Sequence, residues 1–459
     1  VFSNRRKRTE RVAARLAAIG FQSSFKSLRA VSRIWLSDWE KRRRLKWIAA
    51  GAAGLVLVGG LATLPFLKRA PKAVSEAIGQ AALNTPEKPS AWHGEIDYDA
   101  LNARITAMAA DKTMEGLAVA VVEKGRLSFV HGYGLTTEGG QKVDARTVFR
   151  WASLSKTVSS TLSARLAADG TLSLTEPLVA FNTSLRLPGD AQNSLTVEEL
   201  LSQRTGLGKN AYDGQLEDGV DPAKIRGSYA TLKTVCPPGT CHSYQNVAYD
   251  TITEVIQGKT GEPYAATVQR KLFTPLGMTG ASIGMAGITS AERWARPHDR
   301  ARRELKLSEA YYRVPAAAGV NSTIVDLATW MQAQMGLKSD VLSGAVLDEV
   351  QRPRVATGRP YGRLNIAREL KSPAYGLGMR SFTYKSHRLI GHSGGVSGYR
   401  STMMFDPVTK TGIVMLWNSD ANLPFRFQGE FFDRVYRIPF TDYLDLDSGQ
   451  PGGEASLSD

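Results

Sequence analysis

The chain has 459 residues, 42% of them apolar and 22% charged, a globular composition long enough for one large domain or two smaller ones. Its net charge of +15 is uneven: residues 1–46 hold 14 Lys/Arg and 3 Asp/Glu, hence +11, while the rest holds 44 and 40, hence +4. The basic character belongs to an N-terminal arm, so charge lends no support to a nucleic-acid-binding body.

Trp47 to Leu67 is 21 residues without a charge, and at ~1.5 Å per residue it would reach about 30 Å, the thickness of a bilayer core. Arg42, Arg43, Arg44 and Lys46 abut its start. This reads as one transmembrane helix, with 1–46 a basic cytoplasmic arm and 68–459 on the periplasmic side of a bacterial inner membrane. Lipid is then a partner of the span. Two rival readings are a cleaved signal peptide, opposed by the long charged lead, and an organellar targeting arm, opposed by Glu10, Asp38 and Glu40. Residues 68–96 read as a tether.

The globular part is expected from Asp97 to Phe440, opening with a helix to about Ala110. Leu117–Val122 and Arg126–His131 flank Lys124-Gly125 as a hairpin. Helix signals dominate from Ser153 to about residue 355, as in Thr157–Asp169 and Val247–Gln257, each followed by glycine. Strand patterns return at His387–Ile390, Arg400–Phe405 and Gly412–Trp417. These elements predict an α/β (α+β) fold. An antiparallel sheet is assembled from both ends of the domain and flanked by helices, and an all-helical lobe is inserted. Residues 441–459, acidic and rich in Gly and Ser, read as a disordered tail. Cys236 and Cys241 bracket Pro-Pro-Gly-Thr, a turn that makes a small disulfide ring feasible; two unpaired thiols are the alternative. Zinc is disfavoured, since only His242 lies close by.

The chemistry centres on Ser153-Leu154-Ser155-Lys156. Serine and lysine three apart at a helix start lie on one face, so the amine can accept the hydroxyl proton. Ser-x-x-Lys alone is weak, and Ser23–Lys26 matches it too. Ser153 has the better context, with an extended lead-in and a long helix behind it. Tyr244-Gln245-Asn246 supplies a phenol for acid–base work and an amide able to hold Lys156 and a substrate carbonyl. Lys-Thr-Gly occurs at 259–261, where it ends a helix, and at 410–412, in a turn. Neither suits a cleft-edge strand. His392-Ser393-Gly394, followed by Gly395, suits it better, because the glycines leave room for substrate backbone and for an N–H aimed at an oxyanion. Gly391–Gly395 also matches the nucleophile elbow, which needs a later histidine, and His392 is the last.

Together, Ser153–Lys156, Tyr244–Asn246 and His392–Gly394 resemble the motifs of the serine β-lactamase and penicillin-binding DD-peptidase superfamily. The class C β-lactamase-like branch, with its Tyr-x-Asn, is the nearest in pattern. Leu200–Leu207, Gly319–Thr323 and Gly412–Leu416 look like further segments of that branch. The resemblance implies a β-lactamase-like fold and an acyl-enzyme on Ser153. Lys156 and Tyr244 share the proton work, and Asn246, His392, Ser393, Gly394 and Gly395 bind substrate. No metal or organic cofactor is implied. The histidine in place of Lys-Thr-Gly is more like DD-peptidases, esterases and D-amino-peptide hydrolases than an efficient β-lactamase, because imidazole holds a carboxylate less firmly than ammonium. The expected substrates are therefore peptidoglycan-type D-amino peptides, β-lactams or esters. A non-catalytic binding protein retaining the fold and a self-assembling structural protein are the other classes. The sequence leaves the oligomeric state open.

Overall fold

The computed structural model describes residues 94–447. The span at 47–67, the basic arm and most of the tether lie outside these residues. Among the described residues no helix is long and apolar enough to cross a membrane.

Helix α1 (Tyr98–Ala109) starts where Asp97 accepts hydrogen bonds from the backbone N–H groups of Asp99 and Ala100, satisfying donors that the first turn leaves open. Its Leu101, Ile105 and Met108 form one buried stripe. Strands β1 (Gly116–Glu123) and β2 (Arg126–Gly134) follow as the expected hairpin. Lys124 and Gly125, with φ of +49° and +83°, supply the left-handed turn. The remaining strands are β3 (Phe149–Arg150), β4 (Ser282–Ile283), β5 (Val320–Ser322), β6 (Val355–Ala356), β7 (Leu370–Tyr375), β8 (Arg380–Tyr384), β9 (His387–Val396), β10 (Tyr399–Asp406) and β11 (Thr411–Trp417).

An eight-stranded antiparallel sheet runs β2-β1-β11-β10-β9-β8-β7-β6, so the two ends of the domain meet where Leu117 pairs with Trp417. The pleat splits β1 between two cores. Leu117, Val119 and Val121 pack with α1 and α5 (Leu423–Tyr436), through Phe425, Phe431 and Phe432. Ala118, Ala120 and Val122 face the other way, toward α2 (Ser155–Ala168) and α4 (Ile324–Gln334), through Val158, Leu162, Trp330 and Met331. Covered on both faces, β1 reads as an unbroken apolar run rather than an alternating one.

Three expectations need correction. The inserted lobe is not all helical, because β3, β5 and β4 form a small sheet inside it. The helix expected at 247–257 is α3 (Thr251–Thr260), and it stops at Gly261, φ +68°. Gly258 sits within it, since a glycine ends a helix only where the backbone turns left-handed. Residues 441–447 belong to the domain: Tyr443 and Leu444 are buried, and Arg104 ion-pairs with Asp442 and Asp447. Acidic composition suggested a solvated tail, but two apolar side chains and a basic partner on α1 hold the segment down. Residues 448–459 lie outside the described residues.

Candidate active site

Ser153 lies in a tight turn (Ala152–Leu154) between β3 and α2. The Trp151 peptide is fixed from both sides. Its N–H donates to Val320 O at 2.9 Å, and its carbonyl accepts from Ser401 Oγ at 2.5 Å. Ala152 is thereby held at φ +49°, a conformation that costs a non-glycine residue roughly 1–2 kcal/mol and persists only where packing over-determines it. The result is a serine projected from a sharp corner at the head of α2.

One turn on, Lys156 is fully buried. Its Nζ donates to Asn246 Oδ1 at 2.7 Å, to Ala317 O at 3.2 Å and to Ser153 Oγ at 3.4 Å. It also lies 4.6 Å from the centre of the Tyr244 ring. Asn246 Nδ2 in turn donates to Asp213 Oδ2 at 2.6 Å, which fixes the amide so that its oxygen faces the lysine. Ser153, Lys156, Tyr244 and Asn246 thus converge. Ser153, Tyr244, Asn246, His392, Ser393 and Gly395 line one cavity of about 760 Å³.

The third wall is β9. Its pairing with β8 ends at Arg380 opposite Gly391, while its pairing with β10 continues to Val396. Residues 392–396 therefore have no β8 partner on the side where the Ser153 turn packs. Gly394 is required there: a Cβ would fall 2.1 Å from Trp151 O and 3.0 Å from Ser153 N. Ser393 Oγ shares a 2.7 Å hydrogen bond with Tyr361 OH. His392 is buried, with Nε2 at 3.0 Å from Tyr375 OH and Nδ1 at 2.7 Å from Ser393 O. Burial, reinforced by the charges of Arg380 and Lys156, holds this imidazole well below its ordinary pKa. It is neutral, with Nδ1–H donating to the carbonyl and Nε2 accepting from the phenol.

The cation on this wall is Arg380, which sequence reasoning missed. It lines the cavity, and its guanidinium lies 5.3 Å from the Tyr375 ring centre and 5.8 Å from that of Tyr244. Among the described residues its guanidinium makes no hydrogen bond or ion pair. Asp213, the partner of Asn246, was missed as well. The rejected lysines are engaged elsewhere: Lys259 pairs with Glu176, and Lys410 donates to Met335 O. Cys236 and Cys241 are joined in a disulfide.

An antiparallel sheet with helices on both faces and a serine–lysine pair in the cleft define a class of serine hydrolases. A family model described as Beta-lactamase matches residues 101–436, and the chain belongs to that family. It is 25% identical over 337 residues to the Unguisins hydrolase ungD of Aspergillus violaceofuscus, aligning 66% of this chain with 58% of that protein. It is 24% identical to Protein flp of Staphylococcus aureus, with 67% and 60% covered. It is 25% identical to the D-alanyl-D-alanine-carboxypeptidase/endopeptidase AmpH of Escherichia coli, with 65% and 77% covered. The chain thus spans less than two thirds of the first two. Among solved structures it is similar in fold to the octameric penicillin-binding protein homologue from Pyrococcus abyssi, with TM-score 0.67, 21% identity, and 75% and 78% covered. It is also similar in fold to a class C beta-lactamase mutant, with TM-score 0.62, 19% identity, and 74% and 97% covered.

Proposed function

We propose that this protein is a membrane-anchored serine hydrolase that forms an acyl-enzyme on Ser153. Its substrates are peptidoglycan-type peptides ending in a D-amino acid, and related esters; β-lactams acylate it better than they are turned over. The observation that carries this reading is the chain of contacts Ser153–Lys156–Asn246 beside Tyr244, inside a cavity with an unpaired cation at Arg380.

When Lys156 is neutral, two N–H groups stay on Asn246 Oδ1 and Ala317 O, and the lone pair faces Ser153 Oγ. Ser153 Oγ attacks the carbonyl carbon while its proton passes to Lys156 and Tyr244, which act as a coupled pair. The N–H groups of Ser153 and Gly395 hold the oxyanion. Its collapse breaks the C–N bond, and Tyr244 delivers the proton to the leaving amine. Water then attacks the ester and frees Ser153. The neutral His392 cannot neutralise a substrate carboxylate; Arg380, on the adjacent strand, can, and a planar guanidinium suits a carboxylate. This favours a peptidase with a carboxylate-bearing leaving group. AmpH carries a carboxypeptidase name, which agrees with it. The uncharged span at 47–67 and the Cys236–Cys241 bond support a periplasmic catalytic domain.

The test is Ser153→Ala. Labelling by a fluorescent β-lactam or fluorophosphonate is expected to vanish with the fold retained by circular dichroism. Undiminished labelling sinks the reading. Alkaline extraction tests the anchor: the full chain is expected to stay with membranes, and release into the wash overturns that part.

A further inference from the structure

We propose that Tyr361 is a positioning residue for leaving-group selectivity: it holds the Ser393 hydroxyl with its proton turned into the cavity, as a donor to a substrate carboxylate beside Arg380. The inference rests on the hydrolase reading above and names what sets its preference for acids.

Tyr361 stands in the segment 357–362, which lines the cavity that holds Ser153. Its φ is +57°, a left-handed conformation that a bulky residue rarely takes and that persists only where the surroundings over-determine it. Here the ring stacks on Phe425, with centres 5.3 Å apart, and the hydroxyl lies 2.7 Å from Ser393 Oγ. The strained turn thus delivers one phenol to the free edge of β9.

The direction of that bond follows from the groups behind it. Gln428 on α5 and Thr402 on β10 are fully buried. The Phe425 carbonyl can only accept, so it takes an N–H of Gln428 at 3.0 Å and fixes the amide. Gln428 Oε1 then accepts from Thr402 Oγ1 at 2.9 Å, and Nε2 gives its second N–H to Tyr361 OH at 3.3 Å. Thr402 has no proton left for Ser393, and Tyr361, already accepting, donates its own to Ser393 Oγ. Burial keeps that proton on the phenol by raising its pKa, against the pull of its hydrogen bonds and of the Arg380 charge.

Ser393 therefore keeps its own O–H. Among the described residues the only acceptor left for it is Thr402 Oγ1 at 3.4 Å, beyond the usual span of about 2.5–3.0 Å. Ser393 is half-buried and lines the cavity, so a ligand can reach the hydroxyl. An acceptor is what this wall lacks. Arg380 stands beside it, since its charge is felt at the Tyr361 phenol. A carboxylate brings two oxygens, one for the guanidinium and one for the hydroxyl. The proton path at Ser153 runs through Lys156 and Tyr244, so Tyr361 acts on the reaction through Ser393.

The experiment uses the full chain and two thioesters of N-acetyl-D-alanine, one with mercaptoacetate as leaving group and one with its amide, 2-mercaptoacetamide. Both give the same acyl-enzyme, so only binding and acylation distinguish them. In the wild type, kcat/KM is expected to favour the acid about tenfold, as a charge-assisted hydrogen bond provides. In Tyr361→Phe the acid-to-amide ratio is expected to fall about fivefold, one ordinary hydrogen bond's share, through KM for the acid. Ser393→Ala is expected to lower the ratio at least as far, and adding Tyr361→Phe to it to lower it no further, because the two act as a unit. A wild type without acid preference overturns the role. So does an unchanged ratio in either single variant, or a further fall in the double variant, because Tyr361 then only shapes the cleft. If Tyr361→Phe does not fold, Tyr361→Met, a flexible filler without a hydroxyl, decides by the same ratio. Fluorophosphonate labelling of Ser153, which involves no carboxylate, runs alongside. Its absence in the wild type overturns the hydrolase reading itself, whereas labelling without these ratio changes overturns the positioning role alone.

Discussion

Atoms around the candidate nucleophile are set by close approach. A methyl group on Gly394 would meet the Trp151 carbonyl and the Ser153 N–H, and Trp151 cannot yield because Val320 and Ser401 hold it. Gly394→Ala is therefore expected to cost about 1–3 kcal/mol of stability. It should also lower kcat on a thioester about 100-fold, since a misplacement near 1 Å has that effect. Urea melts and steady-state rates check both, and a variant with full kcat refutes the close-packed edge. For Arg380→Gln, the expected change is a KM raised about tenfold for peptides with a free terminal carboxylate and not for their amides, an ion pair's share of binding. Equal loss on acids and amides would show that Arg380 only shapes the cleft. These residues differ in how readable they were. Ser153 and Lys156 sit one helical turn apart, so spacing alone brings them together. Arg380 meets the site only through the register that sets it opposite Gly391, and no local pattern carries a register. Asp213 belongs to a five-residue helix (Asp213–Glu217), too short to show a period.

Larger pieces position Tyr244. The ring closed by Cys236 and Cys241 docks on the segment before it, with Val235 N–H donating to Gly206 O at 2.8 Å and Gly239 N–H to Arg204 O at 2.7 Å. Gln203 then zips onto the next strip of chain: its carbonyl accepts from Ser243 N–H, its Oε1 from Gln245 N–H, and its Nε2 donates to Gln245 O. Tyr244 is gripped between these bonds. Replacing both cysteines by serine is expected to cost about 2 kcal/mol of loop-closure stability and to reduce kcat more than fluorophosphonate labelling. Loss of labelling in step with kcat would contradict a role confined to Tyr244. The turn that brings the cysteines together was legible from Pro-Pro-Gly-Thr, and the terminal strands from their apolar runs. Strands β7 and β8 were not, because Lys371, Ser372 and Pro373 break the apolar pattern of β7. The short strands β4 and β5 were hidden among helix signals for want of length.

Across the molecule, the cleft gathers positive charge around imidazoles that stay neutral. His242, from the inserted lobe, is pushed down to about 3 by burial and by the charges of Arg380 and Lys209. His392, from the sheet, is lowered by burial, Arg380 and Lys156. A histidine that refuses a proton in the folded state accepts one when unfolded, near its ordinary 6.5. Its contribution is neutral above that pH and destabilising below it, so folding stability is lost as pH falls from 6.5 toward 3 for His242. The loss approaches, per histidine, a limit of about 1.4 kcal/mol per pH unit. Between about pH 7.5 and pH 5.5 the buried Asp250 and Asp326 carboxyls, raised by burial to about 7 and about 6, take up protons in the folded state and oppose this loss, so the histidine share is read as a difference: the urea midpoint of His242→Gln is expected to move less unfavourably over that interval than that of the wild type. An identical pH dependence in the two proteins would mean that the rings of the cleft protonate in the folded state. A cationic His392 would then compete with Arg380 for the substrate carboxylate, and KM for acids would fall with pH where a neutral ring leaves it unchanged.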